Sequence, residues 1–319
     1  RQFPTITVAS WHFENVVLIG DAVHTAHFSI GSGTKLAMED AIALAAALEA
    51  HSDLEEALDA YQDDRGEWVG RTQKAAQQSL EWFEDVRRHT GFPPLQLMFS
   101  LLTRSRRITH ENLRVRDPAL VEASDRFYLG HLGLPVPAAG QKPTPPMFTP
   151  FSLRTMTLEN RVVVSPMCQY SAADGVPDEW HLVHLGSRAI GGAGLVMTEM
   201  TDVSPEARIS LGCTGLWNDA QCEAWKRIVD FVHERSRAKI AMQLGHAGRK
   251  GSAKRLWEGA DEPLDEGGWE IIAPSAIAYK PASRLPRAMT RVDMDRVRDQ
   301  FVRSVTLAER AGFDMIELH

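Results

Sequence analysis

The segment VVVSPMCQY, Val162 to Tyr170, decides how the second half of the chain is read. Its continuous apolar start, without alternation, suits a strand covered on both faces, as in a parallel sheet. The run ends in a proline turn carrying a thiol, an amide and a phenol, so reactive side chains gather at one strand end. Three further runs share the buried-strand texture: GLVMTEM (Gly194 to Met200), KIAMQLG (Lys239 to Gly245) and DMIEL (Asp314 to Leu318). Between the second and third, Cys222, Trp225, Val229 and Val232 fall on one helical face, with Asn218 or Asp219 as N-cap. Between the third and fourth, the stripe is Met294, Val297, Phe301, Val305 and Ala308, closed by Gly312 as C-cap. Four such repeats in about 160 residues match the pace of the first half of an eight-fold α/β barrel. A doubly wound sheet has the same periodicity, and pattern alone leaves the two open.

Working outward, LGLPVPAAGQKPTPPMFTP brings six prolines between Leu132 and Pro150 and almost no periodicity. That composition describes a semi-extended linker. The expected division is residues 1–130, a linker over 131–147, and 148–319. In the front part VVLIG (Val16 to Gly20) reads as a buried strand, followed by GDA, a loop, GSG (Gly31 to Gly33) and an Ala- and Leu-rich helix. Further helices are expected over Leu54 to Arg65 and Thr72 to Arg88, until GFPP (Gly91 to Pro94) breaks the pattern.

Each chemical signal has a plain structural alternative. Asp21, at a strand end, can accept hydrogen bonds from a polyol, and glycines let backbone N–H groups approach an anion at a helix start. A bare GSG is equally an ordinary strand-to-helix turn. Gln243 ends the third strand, where an amide can serve both a donor and an acceptor, yet a lone Gln is commonly structural and a cysteine such as Cys168 is commonly a core residue. His24 can equally be a loop-bonding histidine. The run RSRRITHENLRVR (Arg104 to Arg116) reads as a solvated helix face, with phosphate or coenzyme contact as the second reading.

Together, the residues are more specific. GDAVH, GSG and EDA at their spacing resemble the FAD-dependent aromatic-ring hydroxylase family. The resemblance implies that Asp21 binds the ribityl chain of FAD and that Gly31, Ser32, Gly33 and Thr34 lie along the flavin pyrimidine ring. His27, Ser32 and Lys35 depart from the proline, glutamine and asparagine usual there. The version HTAHFSIGSGTKLA is similar to the branch acting on salicylyl-CoA and 2-aminobenzoyl-CoA. No strand–GxGxxG unit precedes Asp21, so the adenine half of such a site is not expected here.

The region from Met147 to His319, with SPMCQY, MQLGHAGRK and GFDMIELH, resembles the old yellow enzyme family in its NADPH-dehydrogenase branch. That implies a TIM barrel with FMN at the strand ends, lined by Ser165, Pro166, Met167, Cys168 and Met200 and hydrogen-bonded by Gln243. Tyr170 would face the substrate, Cys168 would tune the flavin, and His319 would hold the carbonyl oxygen of the acceptor. The expected whole is α/β: part of an FAD monooxygenase domain, then the first half of a TIM barrel. The chain starts without Met and stops within IELH, and so reads as cut from a longer two-flavin fusion using FAD, FMN and NAD(P)H.

Bulk properties exclude other classes. A net charge of −7 argues against a nucleic-acid binder, and no apolar run is long enough to span a membrane. The three cysteines form no metal-ligand spacing or disulfide framework, which suits a reducing cytoplasm. A small aromatic acyl-CoA is the expected partner, and homo-oligomerisation stays open.

Overall fold

The structure is a computed structural model and describes residues 4–319. The chain divides into two compact units that meet in sequence at Pro143 and Thr144.

The first unit is mostly helical. Strands β1 (His12–Phe13) and β2 (Val16–Val17) pair antiparallel, and helices α1 (Gly33–Ala50) and α2 (Leu54–Glu84) pack together. Helices α3 (Pro94–Thr103), α4 (His110–Arg116) and α5 (Pro118–His131) complete it. Two expectations fail here. VVLIG is not a buried strand: only Val16 and Val17 pair, and Val16 and Ile19 are exposed. The run finds just one short antiparallel partner among the described residues, too little to cover both faces.

Nor are there separate helices over 54–65 and 72–88; α2 is continuous and ends at Glu84. Tyr61, Arg65, Val69, Thr72, Ala76 and Ser79 keep a buried stripe at helical spacing straight through Gly66 and Gly70. Tertiary packing thus outweighs the roughly 1 kcal/mol that an interior glycine costs. After α5 the backbone runs without helix or strand, and Arg126 holds it through the carbonyls of Pro137, Ala138 and Gln141.

In the second unit, hairpin β3 (Phe151–Leu153) and β4 (Met156–Leu158) precedes β5 (Val163–Val164), α6 (Glu179–Ile190), β6 (Leu195–Asp202) and α7 (Asp219–Arg235). Then come β7 (Lys239–Gly245), the short pair β8 (Ile272–Ala273) and β9 (Arg287–Ala288), α8 (Arg291–Ala311) and β10 (Met315–Leu318). The four-stranded sheet is parallel, in the order β5-β6-β7-β10. Each strand pairs with the next along the chain, whereas a doubly wound sheet reverses direction at a switch point. The winding is that of the first half of a (β/α)8 barrel.

Alternation along the strands sorts the two faces. Val196, Ile240, Met242 and Leu244 point to the helices and pack with Trp225, Ile228 and Val229 of α7 and Leu307, Ala308 and Ala311 of α8. Leu195, Met197 and Ala241 take the other face with Leu158 of the hairpin. Asn218 caps α7 by accepting from Gln221 N at 2.9 Å, and Gly312 closes α8 at φ 91°. Two readings need correction. The first strand is regular only at Val163 and Val164. On α8, Met294 and Val305 are exposed, and the buried face is Ser304, Leu307, Ala308 and Ala311. Small residues there let the helix lie close, and Ser304 Oγ donates to Leu216 O at 2.6 Å.

Candidate active site

All four parallel strands end on one side, and their carboxyl ends gather most of the candidate residues of the second unit. A bulge in β6 sets the geometry. Met197 pairs with Ala241, but Met200 pairs with Gln243, so one extra residue sits on β6. Without it, Met200 would alternate to the helix side; with it, Met200 faces the inner side beside Gln243. The Gln243 N–H, freed by the bulge, donates to Thr198 Oγ1 at 3.1 Å.

Register continues the row to β10, where Glu317 lies opposite Gln243. Gln243 is 7% exposed and its Nε2 donates to Glu317 Oε1 at 2.7 Å. The amide carbonyl keeps its lone pairs for an incoming N–H. His319 follows directly; its backbone N–H donates to Leu244 O at 2.9 Å, and its ring is exposed with Nδ1 3.9 Å from Glu317.

The loop from Ser165 to Tyr170 crosses the end of β6. Gln169 N–H donates to Glu199 Oε2 at 3.0 Å, and the Met200 N–H donates to the Cys168 sulfur. Ser165 and Met167 are exposed, with Pro166 half-buried between them. Tyr170 sits at φ 51°, a left-handed backbone uncommon for a non-glycine residue. This sharp turn folds its hydroxyl back to donate to Cys168, and its ring meets Trp257 edge-on at 6.1 Å. Burial, with Glu199 adding to it, pushes the Cys168 thiol up to about 11. Burial also raises the Tyr170 phenol, so both are held protonated at neutral pH.

Behind this loop is a carboxylate–imidazole pair that the sequence reading missed. Glu199, 4% exposed, lies 3.2 Å from His181 Nε2, and His181 Nδ1 bonds Asp178 at 2.8 Å. Burial disfavours the charged imidazole, yet the two carboxylates outweigh it and His181 is shifted upward. The signal in the text was EWH at the start of α6, too slight to stand out. Next to it Asp202 is wholly buried, and burial, with Glu199 adding to it, drives its acidity well down against the opposing pull of Arg208 and the Cys213 thiol.

In the first unit the GDA turn is a short helical turn over Gly20–Ala22 with Asp21 exposed. Gly31, at φ 65°, ends a second short turn, and Ser32 precedes α1, whose first residues are Gly33 and Thr34. Gly20 is required: at φ 57°, a Cβ there would lie 3.0 Å from the Ala37 Cβ. Asp40, fully buried, ties these pieces together. It accepts from Gly20 N at 3.0 Å and Arg65 Nε at 3.0 Å, and bonds His24 Nε2 at 2.7 Å. His24 is therefore the loop-bonding histidine, buried against the scaffold. A cavity of about 270 Å³ opens beside Ser32, lined by Lys35, Glu39 and Arg65 among others.

Residues 146–319 match the NADH:flavin oxidoreductase / NADH oxidase family, and residues 4–76 match an FAD binding domain. The chain belongs to the NADH:flavin oxidoreductase / NADH oxidase family and carries an FAD-binding segment ahead of it. It is 44% identical over 178 residues to an NADH:flavin oxidoreductase of Gibberella zeae, covering 54% of this chain and 43% of that protein. It is 40% identical over 175 residues to an NADPH dehydrogenase of Geobacillus thermodenitrificans, covering 54% and 47%. Among solved structures it matches morphinone reductase at 32% identity and TM-score 0.48, covering 55% of this chain and 48% of that one. The chain spans about half the length of the curated relatives it matches. No helix among the described residues is long and apolar enough to cross a membrane.

Proposed function

We propose that this chain is the central part of a bifunctional cytoplasmic flavoprotein acting on an aromatic acyl-CoA. The front domain, residues 1–130, belongs to an FAD monooxygenase using NAD(P)H and dioxygen. Residues 148–319, beyond the 131–147 linker, belong to an FMN-dependent NAD(P)H oxidoreductase of the ene-reductase type. Salicylyl-CoA 5-hydroxylase/oxidoreductase and 2-aminobenzoyl-CoA monooxygenase/reductase are the two activities that fit. The observation carrying the second half is the row of Met200, Gln243 and Glu317 beside the Ser165–Tyr170 loop and His319.

The row suits the edge of a flavin. Gln243 offers its open carbonyl to a ring N–H while Glu317 fixes the amide. Ser165, Pro166, Met167 and Met200 form a surface for a flat heterocycle, with Cys168 protonated at its border. Bound FMN would supply hydride, which the protein residues cannot. His319 would donate a hydrogen bond to the acceptor carbonyl, polarising the double bond conjugated to it. Tyr170 would present its phenol beside the same substrate. In the front domain Asp21 would accept from the ribityl hydroxyls of FAD, and Gly31, Ser32, Gly33 and Thr34 would meet its pyrimidine edge near the α1 N-terminus.

The test is flavin content and turnover of the full-length protein. Denaturing extraction is expected to release FAD and FMN in equal amounts, and oxygen-dependent NAD(P)H consumption is expected to rise with one of the two acyl-CoA thioesters. FMN alone would leave only an ene-reductase with a vestigial front segment. Neither flavin would reduce the chain to an interaction surface. Stimulation by neither thioester would sink the acyl-CoA assignment.

A further inference from the structure

The first unit contains a larger cavity that the flavin reading does not use. It measures about 700 Å³, within the range of sites that enclose a small ligand, and is walled by the end of α2, by α3 and by the turn leading to α4. Trp82, Phe92 and Phe99 give it half-buried aromatic walls. His89 stacks on Trp82 at 4.6 Å and 7°, and its Nδ1 is closed off from solvent with no hydrogen-bond partner.

The arginines at this cavity differ in a telling way. Arg104 is committed to the scaffold: it donates to Ser79 Oγ, Leu101 O and Ser29 O. The Arg106 backbone N–H donates to Thr103 O at 2.9 Å, but its guanidinium has no hydrogen bond or ion pair among the described residues; the residue is exposed and is held at φ 56°. Such a backbone is strained in a non-glycine residue and gathers at ligand sites. Arg88 is tied only by a 4.0 Å approach of Asp85. Two available guanidiniums therefore stand at a cavity lined by aromatic rings, the pairing that suits phosphate together with a flat base. Glu81 and Asp85 also line it and offer carboxylate acceptors to an exocyclic amine.

We infer that this cavity binds an adenosine carrying a ribose phosphate, its base between the aromatic walls and its phosphate on Arg106 and Arg88. Both an acyl-CoA, with its 3′-phosphate, and NADPH, with its 2′-phosphate, present such a handle. The acyl-CoA source rests on the proposed function; the site itself does not.

Calorimetric titration of the full chain with 3′,5′-ADP, 2′,5′-ADP and 5′-ADP tests this without turnover. One of the two bisphosphates should bind at least tenfold more tightly than 5′-ADP, and R106A should remove that preference. R106K, keeping charge but losing the fork, should restore part of it. Preference for 3′,5′-ADP assigns the handle to coenzyme A, and preference for 2′,5′-ADP to NADPH. Equal binding of all three, or binding indifferent to R106A, would overturn the site. If bisphosphate binding survives while neither acyl-CoA supports turnover, the substrate assignment fails and the cavity stands.

Discussion

Replacing Asp40 with Asn probes the joint on which the front site depends. The carboxylate, fully buried, serves three partners: Gly20 N–H, Arg65 and His24. An asparagine keeps one acceptor oxygen, points an NH2 at a remaining partner, and removes the charge facing a guanidinium whose side chain is only 8% exposed. Arg65 retains Glu39 at 3.1 Å, which limits the damage. Breaking one side of a buried ion pair costs about 3–5 kcal/mol, and the residual Glu39 contact argues for the lower end. For a unit of this size, about 3 kcal/mol is a fall of about 10 °C in melting temperature.

The pH dependence has a definite sign. Burial raises the Asp40 pKa, but His24, Arg65 and Gly20 outweigh it, leaving the group below the usual carboxylate range. Its contribution is therefore complete above about pH 4, where the unfolded carboxylate ionises, and is lost as pH falls through the lower folded value. Thermal melts at pH 7 and pH 5 should give the same gap between wild type and D40N. Hydrogen exchange should quicken at Gly20 through His24. A D40N protein melting within about 2 °C of wild type at pH 7, where about 10 °C is expected, would refute this account of Asp40 as the joint of the GDA turn.

Three further outcomes follow from the second unit. With Cys168 near 11, its thiolate fraction at pH 8 should be on the order of 10²-fold below that of an ordinary thiol of pKa about 8.5, so peptide-resolved iodoacetamide labelling should be correspondingly slow; labelling at a free-thiol rate would contradict it. In G212A the new Cβ would stand 2.2 Å from the Tyr170 carbonyl oxygen, a backbone atom. A loss of about 2–3 kcal/mol in urea unfolding and a displaced Tyr170–Cys168 contact are expected, whereas near-neutral stability would mean the loop yields freely. His181, raised by Glu199 and Asp178, stabilises most below its ordinary value near 6.5, and that contribution fades as pH rises through the folded value. The urea midpoint gap between wild type and H181Q should thus be larger at pH 6 than at pH 9, and the reverse order would reject the ion pair.

Local signals carried much of the second unit. Asn218, Gly312 and the Cys222–Trp225–Val229–Val232 face are decided by residues within one helix, and they stand where their chemistry places them. The choice between barrel and doubly wound sheet was not local: it needed the pairing of strands distant in sequence. The β6 bulge was invisible for the same reason, since only the partner strand reveals that Met200 meets Gln243. On α8 the apolar periodicity favoured Met294 and Val305, but close packing selected the smaller face with Ser304. In the first unit EDA was legible as a motif. That its Asp joins a turn on one side to Arg65 on another helix was not, because Arg65 carries no marking in the text. Glu199 and His181 were hidden in the same way.

The strand order has a consequence for how the second unit comes into being. β6 finds its partner β5 already made, β7 finds β6, and β10 finds β7. No strand of this sheet waits for one synthesised later to be wedged between its neighbours. The sheet can therefore lengthen one strand at a time in the order of translation, with each new helix covering the strand just added. One edge of the growing sheet is then always the youngest strand while the other stays at β5, and a pause in translation after α7 would leave β6 awaiting β7.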